Sequence, residues 1–204
     1  MLSTFPTLLP FMLFAFVASI TPGPTNILVL SNSARYGFRA TLPFIAGAGA
    51  SAASIVFMVG CGLGNGLSQV PWLQVAMKWL GVAWLSHLAW KIYLTPPDLE
   101  ITDVRNNGSV AGLWTAISLQ WVNPKTWMMA FAVITVFNER GVNRQEHIGW
   151  MSLVFFLVAL PCLSAWGILG AGSRQSLRSP RLRNNFYRGL GLLLLLSTWL
   201  GLWW

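Results

Sequence analysis

The chain has 204 residues, 55% of them hydrophobic and 9% charged, with 12 Trp, 12 Phe and a mean hydropathy of +0.60. A soluble domain of this length carries roughly a quarter of its residues charged; the composition excludes one and predicts a polytopic all-α membrane protein, a single domain over 1–204. A net charge of +8 suits nucleic acid, but the Lys and Arg residues stand in short gaps between apolar runs rather than on one polar face, so the charge reports topology and no nucleic-acid partner is expected.

About twenty apolar residues cross the hydrocarbon core as a helix, and on that ruler the sequence divides into six spans. Met1-Leu2-Ser3-Thr4 lacks the basic n-region of a signal peptide, so the first apolar run is expected to be a retained span. That span, from about Phe5 to Ser33, is interrupted by Thr21-Pro22-Gly23-Pro24-Thr25-Asn26. Pro22 and Pro24 remove the N–H groups that would bond the carbonyls of Ala18 and Ile20, so the helix must break there. Irregular backbone at membrane depth is tolerated where it is buried in protein or lines a polar cavity, which makes the break a candidate binding site.

The second span, about Thr41 to Leu63, contains Gly47-Ala48-Gly49-Ala50-Ser51-Ala52-Ala53-Ser54, small residues that admit a close helix neighbour or form the wall of a substrate pathway. Pro71 suits the first turn of the third span, which runs to about Tyr93 and carries Trp72, Trp79, Trp84 and Trp90 at positions fitting interfacial belts. His87 lies in that span as a packing residue or a proton relay, and Lys78 is near enough to one end to snorkel. A polar segment over about 95–109 is the central loop, dividing the chain into a first repeat of about 1–94 and a second of about 110–204.

The fourth span, about Val110 to Phe137, is broken at Gln120-Trp121-Val122-Asn123-Pro124-Lys125-Thr126, where Asn123 is a good N-cap and Pro124 a good first helical residue. The fifth runs from about His147 to Ala171; Arg174, Arg178, Arg181, Arg183 and Arg188 then crowd the connection to the sixth. Connections after spans one, three and five hold those arginines with Arg35, Arg39, Lys91 and Arg105, whereas the others hold Arg140 and Arg144. The positive-inside rule makes the first set cytoplasmic and places both termini outside.

The two breaks correspond, half a chain apart, and three spans per half invert the second half. Interrupted spans at matching positions of inverted repeats point to a transporter's substrate site. Each half-helix beginning near Pro24 or Pro124 aims unpaired N–H groups and a positive dipole end at the bilayer middle, where the two can share a carboxylate. Freed carbonyls of Ala18, Ile20 and Gln120 can take an ammonium group. The predicted substrate-binding residues are Thr21, Pro22, Gly23, Pro24, Thr25, Asn26, Gln120, Asn123, Pro124, Lys125 and Thr126. Lys125, a cation beside a helix N-terminus, needs an anion, must lose its proton, or snorkels to bundle carbonyls.

At these residues the chain resembles the LysE/RhtB family of bacterial amino acid exporters, within the LysE superfamily. The resemblance rests on Thr21-Pro22-Gly23-Pro24-Thr25-Asn26, Gly37-Phe38-Arg39 and Gln120-Trp121-Val122-Asn123-Pro124-Lys125, with length and span count agreeing over the whole chain. Its nearest branch contains cysteine and O-acetylserine exporters. It implies efflux of amino acids or close derivatives, of the neutral or polar cysteine, O-acetylserine, homoserine or threonine class, across the bacterial inner membrane, with protons as coupling partner and no cofactor. The resemblance is compatible with a homo-oligomer. Many members have an Asp in the second span where this chain reads Ala50-Ser51-Ala52; no Asp or Glu lies inside any predicted span here, which disfavours a cationic substrate.

Cys61 and Cys162 lie inside apolar runs, form no metal-ligand spacing, and raise a second reading, a membrane thiol electron carrier rather than an exporter. Inversion places them at depths differing by about 20 Å, too far to pair.

Overall fold

The computed structural model describes residues 5–63, 71–94, 112–137, 144–176 and 179–200. The central loop of about 95–109, with Asp98, Glu100, Asp103 and Arg105, lies outside the described residues, as do Glu139, Arg140 and Arg178. The described residues form eight helices and no strand: α1 (Phe5–Ile20), α2 (Pro24–Tyr36), α3 (Phe38–Met58), α4 (Pro71–Tyr93), α5 (Leu113–Val122), α6 (Pro124–Phe137), α7 (Arg144–Ser176) and α8 (Pro180–Leu200).

Both interruptions are present. The last backbone donor of the first segment is Thr21, whose N–H reaches the Val17 carbonyl at 3.0 Å. Pro22 then supplies none, Gly23 is extended (φ −162°, ψ −179°), and Pro24 opens α2 as a first-turn proline. The axes of α1 and α2 differ by 56°. The second interruption is one residue long: Asn123 is extended at φ −84°, ψ 109°, between the end of α5 and Pro124 of α6. Gly37 closes α2 at φ 91°, in the left-handed region that favours glycine, and donates to the Ser33 carbonyl at 2.9 Å. Past Met58, α3 widens into a π-helical turn over Val59–Leu63 that contains Gly62 at φ 112°.

Among the described residues, two helices are long and apolar enough to cross a bilayer by length and composition, Phe38–Leu63 and Arg144–Ser173, and the bent pair α1/α2 counts as a third if taken as one span. The arginine-rich connection is shorter than expected. Arg174 belongs to α7, while Arg181, Arg183 and Arg188 belong to α8, which starts at Pro180. An apolar ruler ends a span at its last apolar residue, but arginine has good helix propensity and the backbone continues past the hydrocarbon edge. For the same reason α7 begins three residues before the expected His147 and ends five after Ala171.

The longest helix, α7, is central and packs on α1, α2 and α3; α3 also packs on α5 and α6, and α4 pairs with α8. Lipid offers little hydrophobic drive between helices, so close approach through small residues matters. A Cβ at Gly47 would stand 2.7 Å from the Leu113 carbonyl oxygen, one at Gly191 2.8 Å from that of Ala89, and ones at Gly81 and Gly170 would run into the carbonyls of Val122 and Leu30. Buried apolar residues form one cluster around Ala52, Ile55, Ala130, Met151 and Phe155, and another around Val29, Phe44, Ala48, Ala116 and Leu163. Leu13, Phe16, Val17, Trp79, Leu80 and Trp114 face outward, as lipid contact requires.

Gly81→Ala drives a methyl group into the backbone of the last α5 residue before the second break, and is expected to destabilise the protein by about 1–3 kcal/mol. Gly149→Ala, in α7 where nothing lies within 4 Å, should instead raise stability by about 0.5–1 kcal/mol through helix propensity. Thermal unfolding of the two detergent-purified variants checks the difference.

Candidate functional site

The two breaks meet. Gln120, in the last turn of α5, presents its carbonyl Oε1 to three donors: the Thr126 hydroxyl at 2.8 Å, the Thr25 hydroxyl at 3.1 Å and Asn123 Nδ2 at 3.2 Å. The same Asn123 Nδ2 lies 3.1 Å from Thr25 Oγ1, and Gln120 Nε2 donates to the Ala48 carbonyl of α3 at 3.1 Å. All four side chains are buried. One amide thus joins the start of α2, the end of α5, the start of α6 and the middle of α3.

Each break is also satisfied locally. Asn123 Oδ1 accepts from the Lys125 N–H at 3.1 Å, the N-cap bond expected from its place before Pro124. Asn26 turns back over its own break, its Nδ2 lying 2.9 Å from the Ser19 carbonyl, 3.4 Å from that of Ile20 and 3.2 Å from that of Thr21. Trp166 of α7 donates its indole N–H to the Ile20 carbonyl at 3.0 Å. Of the two carbonyls freed by the missing proline donors, that of Ile20 is taken by the protein itself, together with those of its neighbours Ser19 and Thr21. The two helix N-termini differ, because Asn123 caps α6 whereas Gly23 offers α2 no side-chain cap.

Lys125 crosses between the breaks. Its Nζ donates to the Thr21 carbonyl at 2.7 Å, from the first turn of α6 to the end of α1. Its stem lies over Gly23, where a Cβ would be 3.0 Å from Cδ and 3.1 Å from Nζ. The extended backbone at Gly23 is open to any residue; what calls for glycine there is room for the lysine.

These residues enclose a cavity. Of the predicted site residues, Gly23, Thr25, Asn26, Gln120, Asn123, Lys125 and Thr126 line it. Thr21 and Pro22 are exposed beside it, and Pro24 and Pro124 shape the breaks without lining it. The opposite wall is apolar: Ala48, Gly49 and Ala52 of α3, Met129 of α6, and Phe155, Ala159 and Leu163 of α7. In the small-residue stretch of the second span, Gly47 packs on the α5 backbone while Ala48, Gly49 and Ala52 face the cavity. Sequence reasoning passed over Ser19, Trp166 and the α7 wall, because an aromatic or a small residue inside an apolar run carries no mark of which side it faces. The cavity has about 30 Å3 of room, enough for about two waters.

Other candidates fall away from this site. His87 is exposed on α4 with its ring 6.1 Å from that of Trp84. Both cysteines are free thiols; Cys61 is exposed, and the buried Cys162 lies 3.9 Å from the Phe16 carbonyl. No group of His, Cys, Asp and Glu able to hold a metal is found among the described residues.

A helical membrane protein with a cavity, polar on one side and apolar on the other, at two facing helix breaks has the make-up of a small-molecule translocator. Residues 16–198 match the family described as LysE type translocator, and the chain belongs to that family; it is a transporter and not an enzyme. It is 30% identical over 152 residues to the cysteine/O-acetylserine efflux protein of Salmonella paratyphi A, covering 74% of this chain and 73% of that one. To the protein of the same description from Escherichia coli K12 it is 29% identical over 158 residues, 76% of each chain. No solved structure matches.

Gln120→Leu keeps the volume but removes the acceptor of three buried donors, and should lower stability by about 1–3 kcal/mol. Thermal unfolding of the detergent-purified variant beside the parent protein reads the change.

Proposed function

We propose that this protein exports small neutral or polar amino acids, or close derivatives of the cysteine and O-acetylserine class, from the cytoplasm of a bacterium across its inner membrane. The observation that carries the reading is the pairing of the two breaks around one cavity that has a cation and amide groups on one wall and small apolar residues on the other. An amino acid has the same division, a charged head on a short side chain. The names of the relatives support the substrate class.

The carboxylate lies beside Lys125 and the uncapped start of α2, and the side chain points toward Ala52, Met129 and Phe155. Since the cavity has room for only about two waters, loading requires the walls to part. Two inverted three-span repeats, with both termini outside, fit that motion. The principal helix contacts come in exchanged pairs, α3 with α5 and α7 with α1, α3 with α6 and α7 with α2, while α4 meets its counterpart α8. Such an arrangement lets one repeat rock against the other around a fixed site.

Coupling to protons is part of the proposal. The chain has no Asp or Glu before Asp98, and Glu146 is exposed at the start of α7; among the described residues no carboxylate lines the cavity.

Cells overproducing the protein and challenged with single amino acids should retain less of the exported ones than control cells. Pro24→Ala and Pro124→Ala, which restore backbone donors at the breaks, are each expected to cut that export about tenfold or more; full export by both variants rejects the paired-break site. Efflux from vesicles should fall several-fold, on the order of the pH ratio removed, when the two sides are brought to one pH. Indifference to the gradient means facilitated diffusion.

A further inference from the structure

The carbonyl end of α1 already holds an ammonium group, and it is the protein's own. Lys125 Nζ lies 2.7 Å from the Thr21 oxygen, where the C-terminal end of the α1 dipole concentrates negative potential. Among the described residues, no carboxylate lines the cavity. A full positive charge is thus held by a neutral oxygen, a weaker partner than an anion would be. The lysine stem also closes the rim of the cavity over Gly23.

Resting on the amino acid export reading, we propose that the Thr21 carbonyl is the subsite for the α-ammonium group of the transported amino acid. Lys125 is its resident occupant, and so decides which head groups are accepted. A carboxylate draws Nζ toward itself because a charge-assisted pair replaces a charge–dipole contact. The Thr21 oxygen, which then keeps only the Asn26 amide at 3.2 Å, accepts the ligand's ammonium group in turn. An amine without a carboxylate brings only like charge against Nζ and cannot displace it. An N-acylated amino acid brings the carboxylate but no ammonium group, and leaves the Thr21 oxygen with only the neutral amide of Asn26 at 3.2 Å. The exchange selects zwitterions without any acidic residue in the site, and the departure of the lysine from Gly23 adds room to a cavity that now has about 30 Å3.

The test uses the full-length protein in proteoliposomes loaded with L-cysteine, or with cysteamine, which is cysteine without its carboxylate, under reducing conditions. The parent protein should release cysteine at least about tenfold faster than cysteamine. In Lys125→Gln that preference should collapse to about twofold or less through a gain in cysteamine release, while Lys125→Arg should keep it. Gly23→Ala, which crowds the lysine without changing its charge, should also raise cysteamine release, so a Gln variant that fails to fold leaves the idea open to refutation. An unchanged ratio in both Lys125→Gln and Gly23→Ala, or equal release of both compounds by the parent protein, overturns the subsite. Should the parent release neither compound nor any other amino acid, the export reading itself fails.

Discussion

The structure depends on the amide of Gln120. Its oxygen is shared by three donors drawn from both breaks, and its nitrogen reaches the backbone of α3. In water such a cluster would contribute little, because each donor would find a solvent partner at similar cost. Enclosed among helices, the alternative to these bonds is an unsatisfied polar group in an apolar setting, and the cluster becomes the condition under which two interrupted helices can sit face to face. The remaining features follow from that meeting: the cavity is the space left between the breaks, and the α3 wall is thin there because larger side chains would fill it.

A second constraint is the scarcity of backbone donors. Two prolines and an extended glycine leave the end of α1 with carbonyls that must be met in some other way. They are met by Asn26 from the following turn, by Trp166 from a distant helix and by Lys125 from the other break. Partners from the next turn, from α7 and from the second break thus converge on three consecutive residues, Ser19 to Thr21. This tethers the break firmly to α7, whose Gly167 carbonyl also accepts the Ser33 hydroxyl of α2 at 2.6 Å.

The positions of both breaks were legible in the sequence, since a proline's missing donor is a local fact that no tertiary context repairs. So was the role of Asn123, because an N-cap bond spans only two residues. Helix ends were legible only to within a few residues where arginines continue an apolar run, as at Pro180. What could not be read was direction. Gln120 and Asn26 stand in similar apolar contexts, yet one reaches across to the opposite break and the other folds back on its own. Which of these a side chain does is fixed by helix rotation and by neighbours from α3 and α7, at separations that no local pattern encodes. The same holds for Lys125: its need for a partner was plain from its type and depth, whereas the identity of that partner, a carbonyl at the other break, belongs to the assembled fold.

The extended backbone of Gly23 has a consequence for how such a chain can vary over generations. Because its conformation is available to any residue, selection on this position acts through the lysine resting on it. Glycine 23 and lysine 125 are then one heritable unit carried at two distant places in the gene. A drift to alanine at the first obliges the second to shift its stem, whereas a chain that has lost the lysine is released from that demand.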